Sequence, residues 1–515
     1  MTFEIIDKDE TARIGRIRTR HGDVETPALF PVINPLKQSL TLEEVRSIGF
    51  RQIITNAYII KRNYGDLARE AGIHRLLNWD GVIMTDSGAY QILQYGSVDV
   101  DPATILEYQV SIGSDIGVIL DIPTSHPRYV GVVKAEVDET LRRAREAIEA
   151  RDRVDPEHRM LLVGPIQGGV HLSLLAYSAR SMGRLPFDIY AIGSPTTLLE
   201  EYNFLELAKM VITAKLNLPL GKPIHLFGVG HPLVMPLMAA LGIDLFDSAS
   251  YILYAYDDRV IFSDRTARLS ELGDDYLIDW CLKTVKEVRE MPKDDRVRCL
   301  AKHNLTVLAR EIIEIKQRIR ENDIWGYVAG KARLNPMLYA AYKWLMESRL
   351  LQKLVKAASG GLKVNATQLV ILDEVDEGRP EVRWARSRLR NVIEGIKVDK
   401  AIVLVGNLEK PAIRDPAIDR LRGLKAQIYV YDPVFGLVPI ELSDVYPFSQ
   451  VIPLKDGFRR VRVNSRLVVV IAEEEFRKVA ERAISAEHAY VILVDSLRNI
   501  GAYLSYLKEL LDSNP

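Results

Sequence analysis

The sequence predicts a (β/α)8 TIM barrel followed by a smaller α/β accessory domain. Three observations predict it: eight short runs rich in Val and Ile within the first 250 residues, helical periodicity in the segments between them, and a second series of strand-like runs beyond the Ser-Gly-Gly at 359–361. At 515 residues the chain exceeds what one small core organises. The barrel is assigned to residues 1–355 and the accessory domain to 356–515.

The eight runs are 27–33 (PALFPVI), 52–57 (QIITNA), 82–86 (VIMTD), 117–121 (GVILD), 161–166 (LLVGPI), 188–192 (DIYAI), 223–228 (PIHLFG) and 243–247 (IDLFD). Bounded by Gly, Pro, Asp or Ser, they suit strands buried on both faces. Between them, Val137, Leu141, Ala144 and Ile148 recur at steps of four, three and four in a charged segment, and 199–214 behaves similarly, as amphipathic helices do. Counting strands does not prove closure, so a doubly wound open sheet is the competing architecture. Helical patterns continue through 285–290 and 304–349. The later runs, at 368–372, 401–405, 427–430, 467–471 and 490–494, alternate with helical stretches.

Composition narrows the function. Lys and Arg number 68 against 69 Asp and Glu, a formal charge of −1, so any nucleic-acid contact must come from local patches. Candidates are Arg383, Arg386, Arg388 and Arg390 around Trp384, and Arg459, Arg460, Arg462 and Arg466; a solvated face explains either run equally well. Cys281 and Cys299 are the two cysteines, which allows no disulfide framework and no three- or four-cysteine metal site. Acids near the start, where a secretory signal needs a basic end and an apolar run, predict a cytoplasmic protein. Residues 223–243 lack charged side chains but contain three prolines and several glycines, so they read as core and not as a membrane span.

Barrel active sites sit at the C-terminal ends of the strands. Those ends present Asp86-Ser87-Gly88, Asp121, Gln167-Gly168-Gly169, Gly193-Ser194 and Asp247-Ser248. Two carboxylates across a pocket divide the work of substitution at a sugar carbon, one as nucleophile and one as proton carrier. A third carboxylate with an amide suits the donor and acceptor edge of a purine-like ring, which could stack on Tyr90. Each Asp alone reads better as a helix cap. Several at the strand ends of one barrel favour a site.

The strings MTDSGAYQIL (84–93), GSDIGVILDIPT (113–124), GPIQGG (164–169), DIYAIGSP (188–195), HLFGVGHP (225–232) and DLFDSASYILYAYDDR (244–259) resemble the queuine and archaeosine tRNA-guanine transglycosylases, most closely the archaeal branch. FGLVPIELSDVYPFSQ (435–450) resembles the first accessory domain of the archaeal enzymes. The resemblance implies exchange of guanine at position 15 of the tRNA D-arm for 7-cyano-7-deazaguanine (preQ0). It implies Asp247 as the nucleophile and Asp86 as general acid/base, with the reverse assignment left open. Asp121, Gln167, Ser87 and the Gly193–Ser194 backbone would read the base, and Tyr90 would cover its face. A homodimer is also implied.

Two departures stand out. Where the family carries three cysteines and a histidine for zinc, the region about 270–305 keeps only Cys281 and His303, so zinc is expected to be absent or weakly held. Trp280 is expected to fill its place, and Cys299 to be a buried thiol on a helix. Nothing after residue 480 resembles the PUA domain of archaeal relatives, which leaves room for a separate PUA-domain protein. The competing functions are an archaeosine-synthase-like paralogue and a noncatalytic tRNA-binding partner subunit. The three retained carboxylates favour exchange.

Overall fold

The computed structural model describes residues 3–89, 101–124, 129–193, 195–358, 368–453 and 459–513. The chain divides into two compact units, residues 1–320 with 327–360, and residues 321–326 with 361–515.

The first unit begins with an antiparallel sheet that a search for continuous apolar runs does not detect: β1 (Phe3–Asp9), β2 (Ala12–Thr19) and β3 (Gly22–Thr26). Its inner face carries Phe3, Ile17 and Val24, which pack with the barrel interior and plug one end of it. Eight parallel strands follow: β4 (Ala28–Ile33), β5 (Gln52–Asn56), β6 (Val82–Asp86), β7 (Ile116–Val118), β8 (Leu161–Ile166), β9 (Ile189–Ile192), β10 (Ile224–Leu226) and β11 (Leu245–Ser248). They form a closed barrel, because β11 returns to pair with β4, Leu245 opposite Ala28 and Asp247 opposite Phe30. The open-sheet alternative is thereby eliminated.

Side chains alternate across a strand, so parity decides which residues face the lumen. Ala28, Phe30, Ile54, Val82, Met84, Ile116, Val118, Leu161, Val163, Ile189, Ala191 and Leu245 form the interior cluster. Each such fully buried aliphatic side chain contributes about 1.5–3 kcal/mol. Continuing the same parity toward the C-terminal ends brings Asn56, Asp86, Gln167, Gly193 and Asp247 to the mouth. The alternation that builds the core also aims the polar residues.

Helices cover the outside. Val130–Val154 buries Val133, Val137, Leu141, Ala144 and Ala147 along one stripe, close to the predicted spacing. The periodicity at 304–349 is not one helix but parts of Lys293–Arg320, Ile324–Ala332 and Pro336–Glu347. Residues 223–243 are core, with every residue of the short helix Met235–Ala240 buried. Among the described residues no helix is long and apolar enough to cross a membrane.

The second unit holds a five-stranded sheet in the order Gly436–Pro439, Gln427–Asp432, Lys400–Val405, Leu467–Glu473, Ala489–Val494. Only the first strand is antiparallel. The run at 368–372 lies outside this sheet; Leu369–Val370 pairs instead with Val451–Ile452. Within the basic run, Arg386 is engaged by Glu377 and the Val434 carbonyl, while exposed Arg388 lies over the Trp384 ring.

Candidate active site

Asp86 ends β6 and Asp247 lies in β11. Asp86 Oδ2 accepts from Asn56 Nδ2 at 3.1 Å and from the Gly88 amide at 3.3 Å. Burial, then the charges of Asp121 and Asp247, push its carboxyl up to about 7 despite hydrogen bonds from the Gly88 and Ser87 amides. The structure thus brings Asp121 and Asp247, from distant parts of the sequence, into electrostatic reach of Asp86. Among the described residues none of the three forms an ion pair with Lys or Arg.

Asp247 Oδ1 accepts two hydrogen bonds, from His225 Nε2 at 2.8 Å and from the Gly228 amide at 2.9 Å. Gly228 has φ +68°, and a Cβ there would lie 2.6 Å from Thr196 Cγ2, so glycine is required for its amide to face the carboxylate. Neither His225 nor Asn56 figured in the sequence reading. Asn56 is the penultimate residue of one of the eight runs, and His225 is the polar residue within another, which is the signal each offered.

The remaining predicted residues divide. Asp121 lies three residues beyond β7, which ends at Val118 and not at 121. Gln167 Nε2 donates to Asp121 Oδ2, while Gln167 Oε1 accepts from the Thr124 amide at 3.0 Å. Burial raises Asp121 to about 6, against the opposing bond from Gln167 and the charge of Arg143. A Cβ on Gly193 would sit 2.2 Å from Gln167 Nε2, so Gly193 leaves room for that amide. The Ser87 hydroxyl donates to the Ile119 carbonyl at 3.0 Å. Tyr90 and Ser194 lie outside the described residues.

The region that corresponds to the family's zinc site does not fit the metal. Cys281 and Cys299 form a disulfide, 18 residues apart, which corrects the expectation of a free buried thiol at Cys299 and of Trp280 as the filler. Trp280 instead stacks against Arg310, 4.3 Å from the guanidinium carbon to the ring centroid. The expectation erred because two cysteines far apart in number were read separately; the helix Lys293–Arg320 brings them together. His303 Nε2 donates to the Ile261 carbonyl at 3.1 Å, and burial holds this ring below the usual histidine range. With both sulfurs bonded to each other, no thiolate remains for a tetrahedral site. Elsewhere among the described residues, His21, His74 and Asp115 form a cluster of metal-ligand type at the other end of the barrel.

The family model described as queuine tRNA-ribosyltransferase matches residues 7–336. The chain is 47% identical over 456 residues to the tRNA-guanine(15) transglycosylase of Pyrobaculum aerophilum, covering 87% of this chain and 90% of that protein. It is 39% identical to the protein of that name from Sulfolobus acidocaldarius, over 87% of this chain and 88% of the relative. With the one from Nanoarchaeum equitans it shares 40% identity, over 76% and 91%.

Proposed function

The chain belongs to the queuine tRNA-ribosyltransferase family, and we propose that it exchanges guanine 15 of tRNA for preQ0 in archaeosine biosynthesis, with Asp247 as nucleophile and Asp86 as proton carrier. The observation that carries the division of labour is the difference between the two carboxylates. Asp86 is held near 7, where it can both give and take a proton at neutral pH. Among the described residues Asp247 has donors on one oxygen only, which leaves Oδ2 to attack.

In the first displacement Asp247 Oδ2 bonds to C1′ of the ribose as the bond from C1′ to N9 of guanine breaks, and Asp86 gives the departing base its proton. Guanine leaves and preQ0 enters. Asp86 takes the N9 proton of preQ0, N9 bonds to C1′, and the ester to Asp247 breaks. Two inversions give net retention. Asp121 and Gln167, bonded to each other, present an acceptor and donor edge for the base, and Gly193 leaves room for the Gln167 amide to do so. Tyr90 is assigned the stacking face, and Ser87 and the Gly193–Ser194 backbone the remaining contacts to the edge of the base.

The test is to denature the enzyme during turnover with labelled tRNA and look for a covalent adduct. Wild type is expected to yield one, and Asp247→Ala to yield none, with exchange down by a factor on the order of 10⁴ or more. Full exchange by Asp247→Ala would remove it from the chemistry. An adduct also separates exchange from the two competing functions, neither of which forms one. The homodimer, the cytoplasmic setting and a separate PUA-domain partner belong to the same reading; light scattering and tRNA binding with and without such a partner check the first and last.

A further inference from the structure

His225 is the polar member of an otherwise apolar layer. It pairs in register with Ala191 of β9 and Leu245 of β11, both lumen-facing, so its ring lies inside the barrel one layer beneath Asp247. It is fully buried, with Phe227 at 4.7 Å and Phe30 at 6.3 Å between ring centroids. Its Nδ1 is buried and has no hydrogen-bond partner among the described residues. A proton on Nδ1 would be a buried donor with no acceptor, which is costly, so the ring carries its proton on Nε2 and gives it to Asp247 Oδ1.

We propose that His225 is a positioning residue that fixes which oxygen of Asp247 attacks and makes that carboxylate a better leaving group in the second displacement. This rests on the assignment of Asp247 as nucleophile. With Oδ1 held by His225 and by the rigid Gly228 amide, rotation of the carboxylate is blocked and Oδ2 alone is presented to C1′. A donor on Oδ1 stabilises the anion more than the ester. It therefore restrains ester formation slightly and accelerates ester breakage, when the carboxylate regains its charge.

The experiment compares wild type, His225→Phe, His225→Gln and Asp247→Ala, measuring exchange rate, KM and the fraction of tRNA held as adduct at steady state. Phe keeps the flat ring in the aromatic layer but has no donor. It should lower kcat by about ten- to hundredfold, the range lost with one hydrogen bond to a charged group. KM for tRNA and preQ0 should hold, and the adduct fraction should rise. Gln, which can donate, should restore part of the rate. A kcat unchanged in His225→Phe, or a fall in adduct parallel to the fall in rate without rescue by Gln, would overturn the proposal. Adduct in Asp247→Ala would instead overturn the nucleophile assignment beneath it.

A second, independent observation concerns the disulfide. We infer that the Cys281–Cys299 bond braces this region in place of a metal, tying the turn Asp279–Cys281 to the long helix Lys293–Arg320. The non-reduced chain, alkylated after denaturation, should show no modified cysteine and no stoichiometric zinc. Reduction should lower its melting temperature measurably. Two alkylated cysteines, one zinc per chain, or an unchanged melting temperature would each overturn it.

Discussion

At the N-terminal end of the barrel, Asp115, Asp188 and Asp244 each precede a strand and each accept from an amide at the start of a neighbouring one: Ile83 at 2.9 Å, Leu162 at 3.0 Å and Ile224 at 2.8 Å. Positive or hydrogen-donating side chains complete them. Arg13 grips Asp244 through two bonds of 2.7 Å, and His21 and His74 each bond one oxygen of Asp115. At the C-terminal end of the same strands, Asp86, Asp121 and Asp247 accept from Asn56, Gln167 and His225, but among the described residues none of them forms an ion pair with Lys or Arg, and Asp86 lies within reach of the other two charges. Residue type and strand scaffold are shared between the ends. Only the partners differ, and they separate carboxylates that stabilise the fold from carboxylates kept reactive at its expense.

Asp86→Asn tests this difference most severely. The folded-state value of Asp86, about 7, lies above its ordinary 3.8, so the folded chain binds the extra proton. Stability linked to this group therefore falls as pH rises between those values. Asn removes the charge and should raise the melting temperature by a few degrees at pH 8, with little change at pH 4, while exchange falls by about 10²–10⁴-fold. Thermal melts at the two pH values and a single-turnover exchange assay check both halves. A destabilised Asp86→Asn would mean that this end is built like the other.

Arg13→Met examines the opposite end. It leaves Asp244 buried with its charge unpaired, and breaking a buried pair in this way costs about 3–5 kcal/mol. Denaturant unfolding should show that loss. Exchange per folded molecule, measured well below the melting point, should be unchanged, because Arg13 serves the face of the barrel away from the mouth.

Much of this contrast was legible in the sequence, for a physical reason. Strands buried on both faces are apolar throughout, so a polar residue closing such a run, like Asp86 or Asp247, is conspicuous. The antiparallel sheet was not legible by that route. Its strands expose one face, and in ARIGRIRT the arginines break every apolar run while Ile14 and Ile17 are buried. The stabilising carboxylates were also missed: Asp115 and Asp244 stand before their strands, and their partners His21, His74 and Arg13 come from far earlier in the chain. His225 went unread because one histidine among apolar neighbours looks like core until the register sets it under Asp247.

The smallest expected effect belongs to His74→Phe, and it sharpens the comparison by its pH dependence. Burial pushes the Asp115 carboxyl up, but the bonds from His74, the Ile83 amide and His21 outweigh it and hold it below the ordinary value. A carboxylate lowered in the folded state stabilises above its unfolded value of 3.8, and that stabilisation is lost as pH falls through the folded one. Phe preserves the face that stacks on His21 at 3.6 Å but removes the donor. At pH 7 it should cost about 1–2 kcal/mol, a loss that shrinks toward acid as Asp115 takes up a proton. Plotted against pH, the melting-temperature differences of His74→Phe and Asp86→Asn from wild type should carry opposite signs at neutrality and converge toward zero in acid. Two curves of the same sign would show that the ends of the barrel do not treat their carboxylates differently.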